Sequence, residues 1–493
     1  MQAFKVLILT CLILKLTLPV FAMNQAILDT EAVDDYIEME MQISRIPGLS
    51  LGIIKNGEIV YLQGYGTAGG NLQVSTSTPF VIGSLSKSLT AVITMQLVEE
   101  GKLELDESVQ SYLPWFNMQG EYDPADITIR HLLNQTSGIP NTANLVALSG
   151  DSLENLKNEI KALSSISLAN RPGDQYIYSN VNYDILALII KQVTENGYRE
   201  YLRNNLFQPL EMHNSFLSKA EGEAAGMSAG HTKWFGIPLA SDFHYLDNSL
   251  ASGFIISSAE DMSRYLLIHI NNGSANSHQV LTKKSIAKIQ SPGNIADGVS
   301  PYAMGLVARD KNGSKVLLHD GAMQGFNSAM AFSPEDQWGV IILTNVNSMI
   351  ELPAMNIALG VASFLQGHTP ENSSRAPGFI YLAAVILILL FIFLTIRSII
   401  ILPKRWAKRI NNKRPQGFFG YGRAVILPVL AELFLPFMVF IFLPAGAGFP
   451  LWRLLALFHP DLVYGLLIIS VLLFLKALLR IYFITKTFIL KTF

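Results

Sequence analysis

Ser84 and Lys87 stand three residues apart in Gly83-Ser84-Leu85-Ser86-Lys87-Ser88, at the head of an apolar run with helical character that continues to Glu100. On a helix, positions i and i+3 share a face, so this hydroxyl and this amine can touch. A serine is a weak nucleophile until a base takes its proton, and a lysine of depressed pKa is such a base. A helix N-terminus also favours negative charge developing at the serine. By itself the pattern equally describes a capping serine beside a solvated lysine. A second serine competes for the role, because Gly48-Leu49-Ser50-Leu51-Gly52 matches the Gly-x-Ser-x-Gly of a nucleophile elbow. An elbow needs strand, sharp turn and helix. Ser50 instead lies in a β-rich run leading to Lys55-Asn56-Gly57-Glu58, a hairpin signal, and no helical pattern follows it until after Phe80. Ser84 is the expected nucleophile, and Ser50 reads as a strand residue.

Two further motifs follow in the chain. Tyr178-Ser179-Asn180, the only Tyr-x-Asn, comes after the turn Arg171-Pro172-Gly173-Asp174. Its tyrosine could share or relay a proton, and Asn180 could hold a substrate amide or Lys87; a buried aromatic beside a helix cap is the bland alternative. His319-Asp320-Gly321, the only His-x-Gly, ends the strand-like Lys315-Val316-Leu317-Leu318. A glycine there would let substrate approach the strand edge closely, although a strand-end histidine also serves structure.

The elements that must position these groups are legible as well. A helical pattern covers Thr30 to Ile46, and two β-rich runs flank the hairpin at Asn56-Gly57. Helices are expected over Ser86–Glu100, Thr128–Gln135, Asn155–Leu163 and Asn180–Asn196. Strands return at Tyr302–Val307, Lys315–His319, Ser328–Phe332 and Trp338–Thr344, before a helix from Ile350 to Phe364. Strands at both ends with helices between predict an α+β domain, an antiparallel sheet of N- and C-terminal strands with flanking helices and an inserted helical subdomain.

The three motifs in this order resemble the serine β-lactamase/DD-peptidase family, closest to its class C-like branch of β-lactamases, D-aminopeptidases and esterases. Ile46-Pro47-Gly48, His131 through Pro140 (HLLNQTSGIP), Arg171-Pro172-Gly173 and Gly321 through Phe326 (GAMQGF) are similar too. The resemblance covers about residues 30–365. It implies that Ser84 is acylated, that Lys87 and Tyr178 act as general base and proton relay, and that Asn180 positions. It places the oxyanion hole at the backbone N–H groups of Ser84 and Ala322 and substrate against His319, Asp320 and Gly321. The chain departs from class C β-lactamases in having His319-Asp320-Gly321 for Lys-Thr-Gly. Asp320 would repel a substrate carboxylate, which favours a peptidase or esterase over an efficient β-lactamase and suits a substrate bearing a free amine. No metal or other cofactor is implied, and the substrate is a small peptide, amide or ester.

Half of the 493 residues are hydrophobic, and the mean hydropathy of +0.33 is high for a soluble domain. The excess is local. Residues 1–22 read as a secretory signal peptide cut after Ala22; the lone cysteine, Cys11, lies within it, so disulfides and cysteine metal sites are not expected. The hydrolase domain spans 23–365 and a polar linker 366–378. Transmembrane helices are expected at 379–402, 424–447 and 462–483. The loop 403–423 carries Lys404, Arg405, Lys408, Arg409, Lys413, Arg414 and Arg423, which assigns it to the cytoplasm and the domain to the extracytoplasmic side of the cell membrane. Glu432 and Lys476 lie at similar depths, about 12 and 10 Å from the cytoplasmic ends, and are expected to pair, with Arg480 as the alternative partner. Membrane lipid and a membrane protein docking on the spans are the expected partners. A net charge of −2 gives no reason to expect nucleic acid. The competing reading is a penicillin-binding sensor or scaffold, acylated slowly or not at all, working through its spans; the short cytoplasmic segments argue against it.

Overall fold

The computed structural model describes residues 28–145, 153–275, 277–293, 302–311, 313–347, 350–370, 376–412, 426–442 and 451–489. The signal segment lies outside these residues. At the centre is an eight-stranded antiparallel sheet built from both ends of the domain. Its N-terminal strands are β1 (Gly48–Lys55), β2 (Glu58–Gly69) and β3 (Leu72–Gln73). Its C-terminal strands are β4 (Tyr302–Ala303), β5 (Leu306–Lys311), β6 (Ser314–Met323), β7 (Phe326–Ser333) and β8 (Trp338–Thr344). The spatial order is β4-β5-β6-β7-β8-β1-β2-β3, so β8 and β1 close the sheet between the two ends of the chain. The β1–β2 turn has Asn56 and Gly57 at φ 54° and 75°, the left-handed pair a tight hairpin requires.

Both faces of the sheet are covered. Leu49, Leu51 and Ile53 of β1, with Val340 and Ile342 of β8, pack under helix α1 (Thr30–Ser44) and the helix Pro353–Leu365. The alternate residues Ile54, Ile341 and Leu343 join the larger core beneath α2 (Ser86–Glu99), α3 (Val181–Val193) and α4 (Ala259–Ile270). Burial on both faces is why these strands read as continuous apolar runs.

The Gly-Leu-Ser-Leu-Gly stretch acquires a structural meaning here. Ser50 is fully buried in the middle of the sheet, opposite Leu343 and Gly64, and donates a 3.2 Å hydrogen bond to the Ser75 carbonyl. A Cβ on Gly52 would lie 2.0 Å from the Ser263 hydroxyl. Its glycine lets α4 lie flat on the strand.

Two expectations are revised. The strand expected over Tyr302–Val307 is broken at Met304-Gly305; Gly305 has φ +74°, and a Cβ there would stand 2.7 Å from Ser88 Cα. The chain turns because β4–β5 must fold tightly against α2. Of the three expected spans, two helices among the described residues are long and apolar enough to cross a membrane, Gly378–Lys408 and Pro460–Lys486. The middle one is described only over Leu427–Phe442, a shorter apolar helix. The first continues as one helix, Ala376–Asn412, so Lys404, Arg405, Lys408 and Arg409 lie on it rather than in a loop. Lys413, Arg414 and Arg423 lie outside the described residues. Glu432 takes both candidate partners, with Lys476 Nζ at 3.0 Å and Arg480 Nε at 2.9 Å.

Candidate active site

Ser84 sits in a single 3-10 turn, Gly83–Leu85, between a short strand (Phe80–Val81) and the first residue of α2. Gly83 has φ +55°, and a Cβ on it would stand 2.9 Å from the Ala322 amide nitrogen. The turn and the end of β6 are therefore in close backbone contact. The Ser328 hydroxyl donates 2.6 Å to the Ile82 carbonyl, and the Ser86 hydroxyl donates 2.7 Å to that of Gly83. These bonds hold the turn to the sheet and to its own helix.

One turn into the helix, Lys87 is fully buried. Its Nζ donates 3.1 Å to Ser84 Oγ, 2.7 Å to Asn180 Oδ1 and 2.5 Å to the Ser252 carbonyl. It also lies 4.9 Å from the ring centre of Tyr178. Burial holds its pKa well below the ordinary lysine value, partly opposed by the negative charges of Asp184 and Asp320. Burial likewise pushes the Asp184 carboxyl up, against a hydrogen bond from Ser252 and the charge of Lys87. Both shifts favour the neutral forms. A neutral amine has two N–H donors and one lone pair. In that form the two N–H groups serve Asn180 and Ser252, and the 3.1 Å contact with Ser84 reverses, its hydroxyl donating to the lone pair.

The Tyr178 hydroxyl also donates 2.9 Å to Ser84 Oγ. Burial raises its pKa above the ordinary tyrosine value, more than the Ser84 hydrogen bond lowers it, so the side chain remains a phenol and a proton donor. Its loop is fastened to the segment after the helix Ile129–Leu133. Gln135, at φ +59°, accepts from the Ser179 amide at 2.9 Å and from Asn182 Nδ2 at 2.5 Å through one side-chain oxygen. Ser137 donates 2.6 Å to Asn182 Oδ1, and Asn141 donates 3.1 Å to the Tyr178 carbonyl. Asn180 stands at the head of α3 and faces Lys87.

On β6, alternation separates the members of His319-Asp320-Gly321. His319 is buried, with Nδ1 2.6 Å from the Asp320 carbonyl and Nε2 3.1 Å from the Tyr302 hydroxyl. Burial lowers its pKa, so it is neutral at pH 7. Both its nitrogens are taken by protein, and its ring lies 6.4 Å from that of Tyr178. Asp320 is half-exposed, and its negative charge acts to raise the pKa values of nearby Lys87 and Tyr178. A Cβ on Gly321 would meet the Ile82 carbonyl at 2.2 Å and the Ser328 hydroxyl at 2.1 Å. Its glycine serves the fit of strand to turn.

Ser84, Lys87, Tyr178 and Asn180 thus converge within hydrogen-bond reach, and Ala322 lies against the neighbouring Gly83. Sequence reasoning missed Asp184, the Ser252 carbonyl and Tyr302. Asp184 had a weak signal, since it follows Asn180 by one helical turn and therefore shares its face.

A serine turn packed on an antiparallel sheet, with a buried lysine and a tyrosine both in hydrogen-bond contact with the serine, fits a β-lactamase-fold serine-hydrolase arrangement. Residues 33–360 match the Beta-lactamase family, and the chain belongs to it. It is 29% identical over 327 residues to Protein flp of Staphylococcus aureus (strain MW2), covering 64% of this chain and 63% of that one. It therefore spans less than two thirds of the length of that relative. It is 31% identical over 310 residues to the putative penicillin-binding protein PbpX of Bacillus subtilis (strain 168), covering 62% of this chain and 72% of that one. Among solved structures it resembles the octameric penicillin-binding protein homologue from Pyrococcus abyssi, with a TM-score of 0.62 and 27% identity over 70% of this chain and 79% of that one.

Proposed function

We propose that the chain is a membrane-anchored, extracytoplasmic serine hydrolase that forms an acyl-enzyme on Ser84, acting on a peptide, amide or ester bond in the manner of D-amino-acid peptidases and esterases. The observation that carries this reading is the pair of contacts on Ser84 Oγ, from Lys87 Nζ at 3.1 Å and Tyr178 OH at 2.9 Å, with Lys87 held toward its neutral form. In the first step the Ser84 oxygen bonds to the substrate carbonyl carbon while its proton passes to Lys87 Nζ. The resulting oxyanion lies where the Ser84 and Ala322 amides can donate to it. The C–N or C–O bond then breaks, and the leaving group takes a proton from Tyr178, which is replenished from Lys87. Water repeats the sequence to release the acid and restore the serine.

Asp320 supports a substrate that carries an amine near the scissile bond, and the buried, neutral His319 adds no positive charge to hold a carboxylate. The apolar helices Gly378–Lys408 and Pro460–Lys486 support the membrane anchor. Hydrolysis of chromogenic D-amino-acid esters and anilides by the full chain tests the reading. Turnover is expected to persist in Ser50→Ala, apart from any loss of stability, and to vanish in Ser84→Ala. Undiminished turnover in Ser84→Ala would overturn it, and stable labelling without turnover would favour a sensor.

A further inference from the structure

The hairpin His231–Trp234/Ile237–Ala240 turns at Phe235-Gly236, both with positive φ (51° and 79°). Its tip is bonded to the apolar helices. The Phe235 amide donates 2.9 Å to Asp461 Oδ2, and the Gly236 amide donates 3.1 Å to the Tyr381 hydroxyl, which itself donates 2.6 Å to Asp461. Trp234 stacks on Tyr464 with ring centres 5.7 Å apart. Arg45, at the end of α1, donates 2.9 Å to the Gly236 carbonyl.

These contacts give a depth. Tyr381 is three residues into the apolar span that begins at Gly378, and Tyr464 is four residues past Pro460. At 1.5 Å per residue the tip lies about 5 Å inside the outer ends of both helices. That is the level at which tyrosine and tryptophan collect at a bilayer surface. Beside the tip the hairpin exposes Ile237 (55%) and Leu239 (50%), which alternation places on one face of the strand. Met39 and Ile43, one turn apart on α1, are exposed as well, and Ile43 lines the same cavity as Phe235, Phe379 and Leu382. Glu40, Arg45, Lys233 and Glu351 line that cavity as well, so domain and helices meet in a mixed apolar and charged surface of the kind that suits a headgroup layer.

We infer that this hairpin, with Met39 and Ile43, is a membrane-docking surface that seats the catalytic domain in the outer headgroup layer of the bilayer its own helices cross. The inference rests on the anchored reading above. Its occupant is lipid, since a protein partner on this face would have to displace the bilayer from beside Phe379 and Leu382.

The full chain, with Cys11→Ser and a single cysteine at Ile237, Leu239, Phe379 or Glu121, is labelled with an environment-sensitive fluorophore and reconstituted into phosphatidylcholine/phosphatidylglycerol vesicles. Lipids carrying a nitroxide at the headgroup or at a shallow acyl position act as quenchers. Ile237→Cys and Leu239→Cys are expected to be quenched to an extent comparable with Phe379→Cys, while Glu121→Cys, in the helical subdomain, is not. Quenching at 379 without quenching at 237 and 239 overturns the docking surface and leaves the anchor standing. Absence of quenching at 379 overturns the anchor, and the docking with it. Substitution at these exposed positions leaves the core untouched, so the labelled chains fold as the parent does.

Discussion

Asn180→Asp is an isosteric change that places a carboxylate where the amide oxygen now accepts from Lys87 Nζ at 2.7 Å. If Lys87 is the base that deprotonates Ser84, its usefulness depends on the depressed pKa that burial provides. A full negative charge at 2.7 Å attracts the ammonium by about 6 kcal/mol at an effective dielectric near 20. Desolvation of the new carboxylate offsets about half of this. The remaining ~3 kcal/mol raises the Lys87 pKa by about 2 units. The wild type should lose kcat/KM as pH falls through the depressed lysine pKa, well below the ordinary value of about 10.4. In Asn180→Asp the same limb should move up by about 2 pH units, with activity at the old midpoint reduced about 50-fold and recovered in alkaline buffer. The assay is kcat/KM for an activated ester between about pH 5 and pH 10, in buffers where the ester alone is stable. A uniform loss at every pH, with the acidic limb unmoved, would refute the role of Lys87 as base and leave Asn180 a merely structural group.

Other outcomes follow from the same contacts. Gly83→Ala drives a Cβ to 2.9 Å from the Ala322 amide at a positive φ; kcat should fall between about 10- and 1000-fold through displacement of an oxyanion donor, and an unchanged kcat with intact circular dichroism would remove Ala322 from the site. His269 is fully buried, and burial lowers its pKa to about 3. The unfolded chain therefore binds more protons between about pH 6.5 and pH 3, and stability falls as pH is lowered through that window, by about 4 kcal/mol at its end. Thermal melts across that range should show the loss, and His269→Gln should flatten it. Glu432→Gln leaves Lys476 and Arg480 without their shared carboxylate, at a cost of about 3 kcal/mol; an unaltered melting temperature of the detergent-solubilised chain would count against the ion cluster.

The site was most readable where its groups are close in sequence. Ser84 and Lys87 meet because a helical turn separates them, and Ser50 could be set aside because a strand-to-hairpin context cannot raise a serine off a sheet. Asn180 was left between two roles, because its contact with Lys87 spans 93 residues and depends on how α3 crosses α2. Asp184 and the Ser252 carbonyl belong to the same crossing and carry no motif. The break at Gly305 was missed because its cause, Ser88, lies on another element. His319 showed its strand position but not the Tyr302 hydroxyl that occupies its Nε2. In the membrane-proximal part, hydropathy located the apolar helices, whereas the docking of Phe235 and Gly236 on Tyr381 and Asp461 depends on tertiary structure alone.

Where a covalent probe lands on the chain bears most directly on the central claim. The full-length protein is treated with a fluorophosphonate, which loses fluoride on bonding to an activated serine oxygen, or with a penicillin, whose ring opens onto it. The adduct is then located by peptide mass spectrometry. The prediction is one adduct, on the peptide containing Ser84, absent from Ser84→Ala and strongly reduced in Lys87→Met. An adduct on Ser50 or on any other residue, with Ser84 unmodified, would contradict the account.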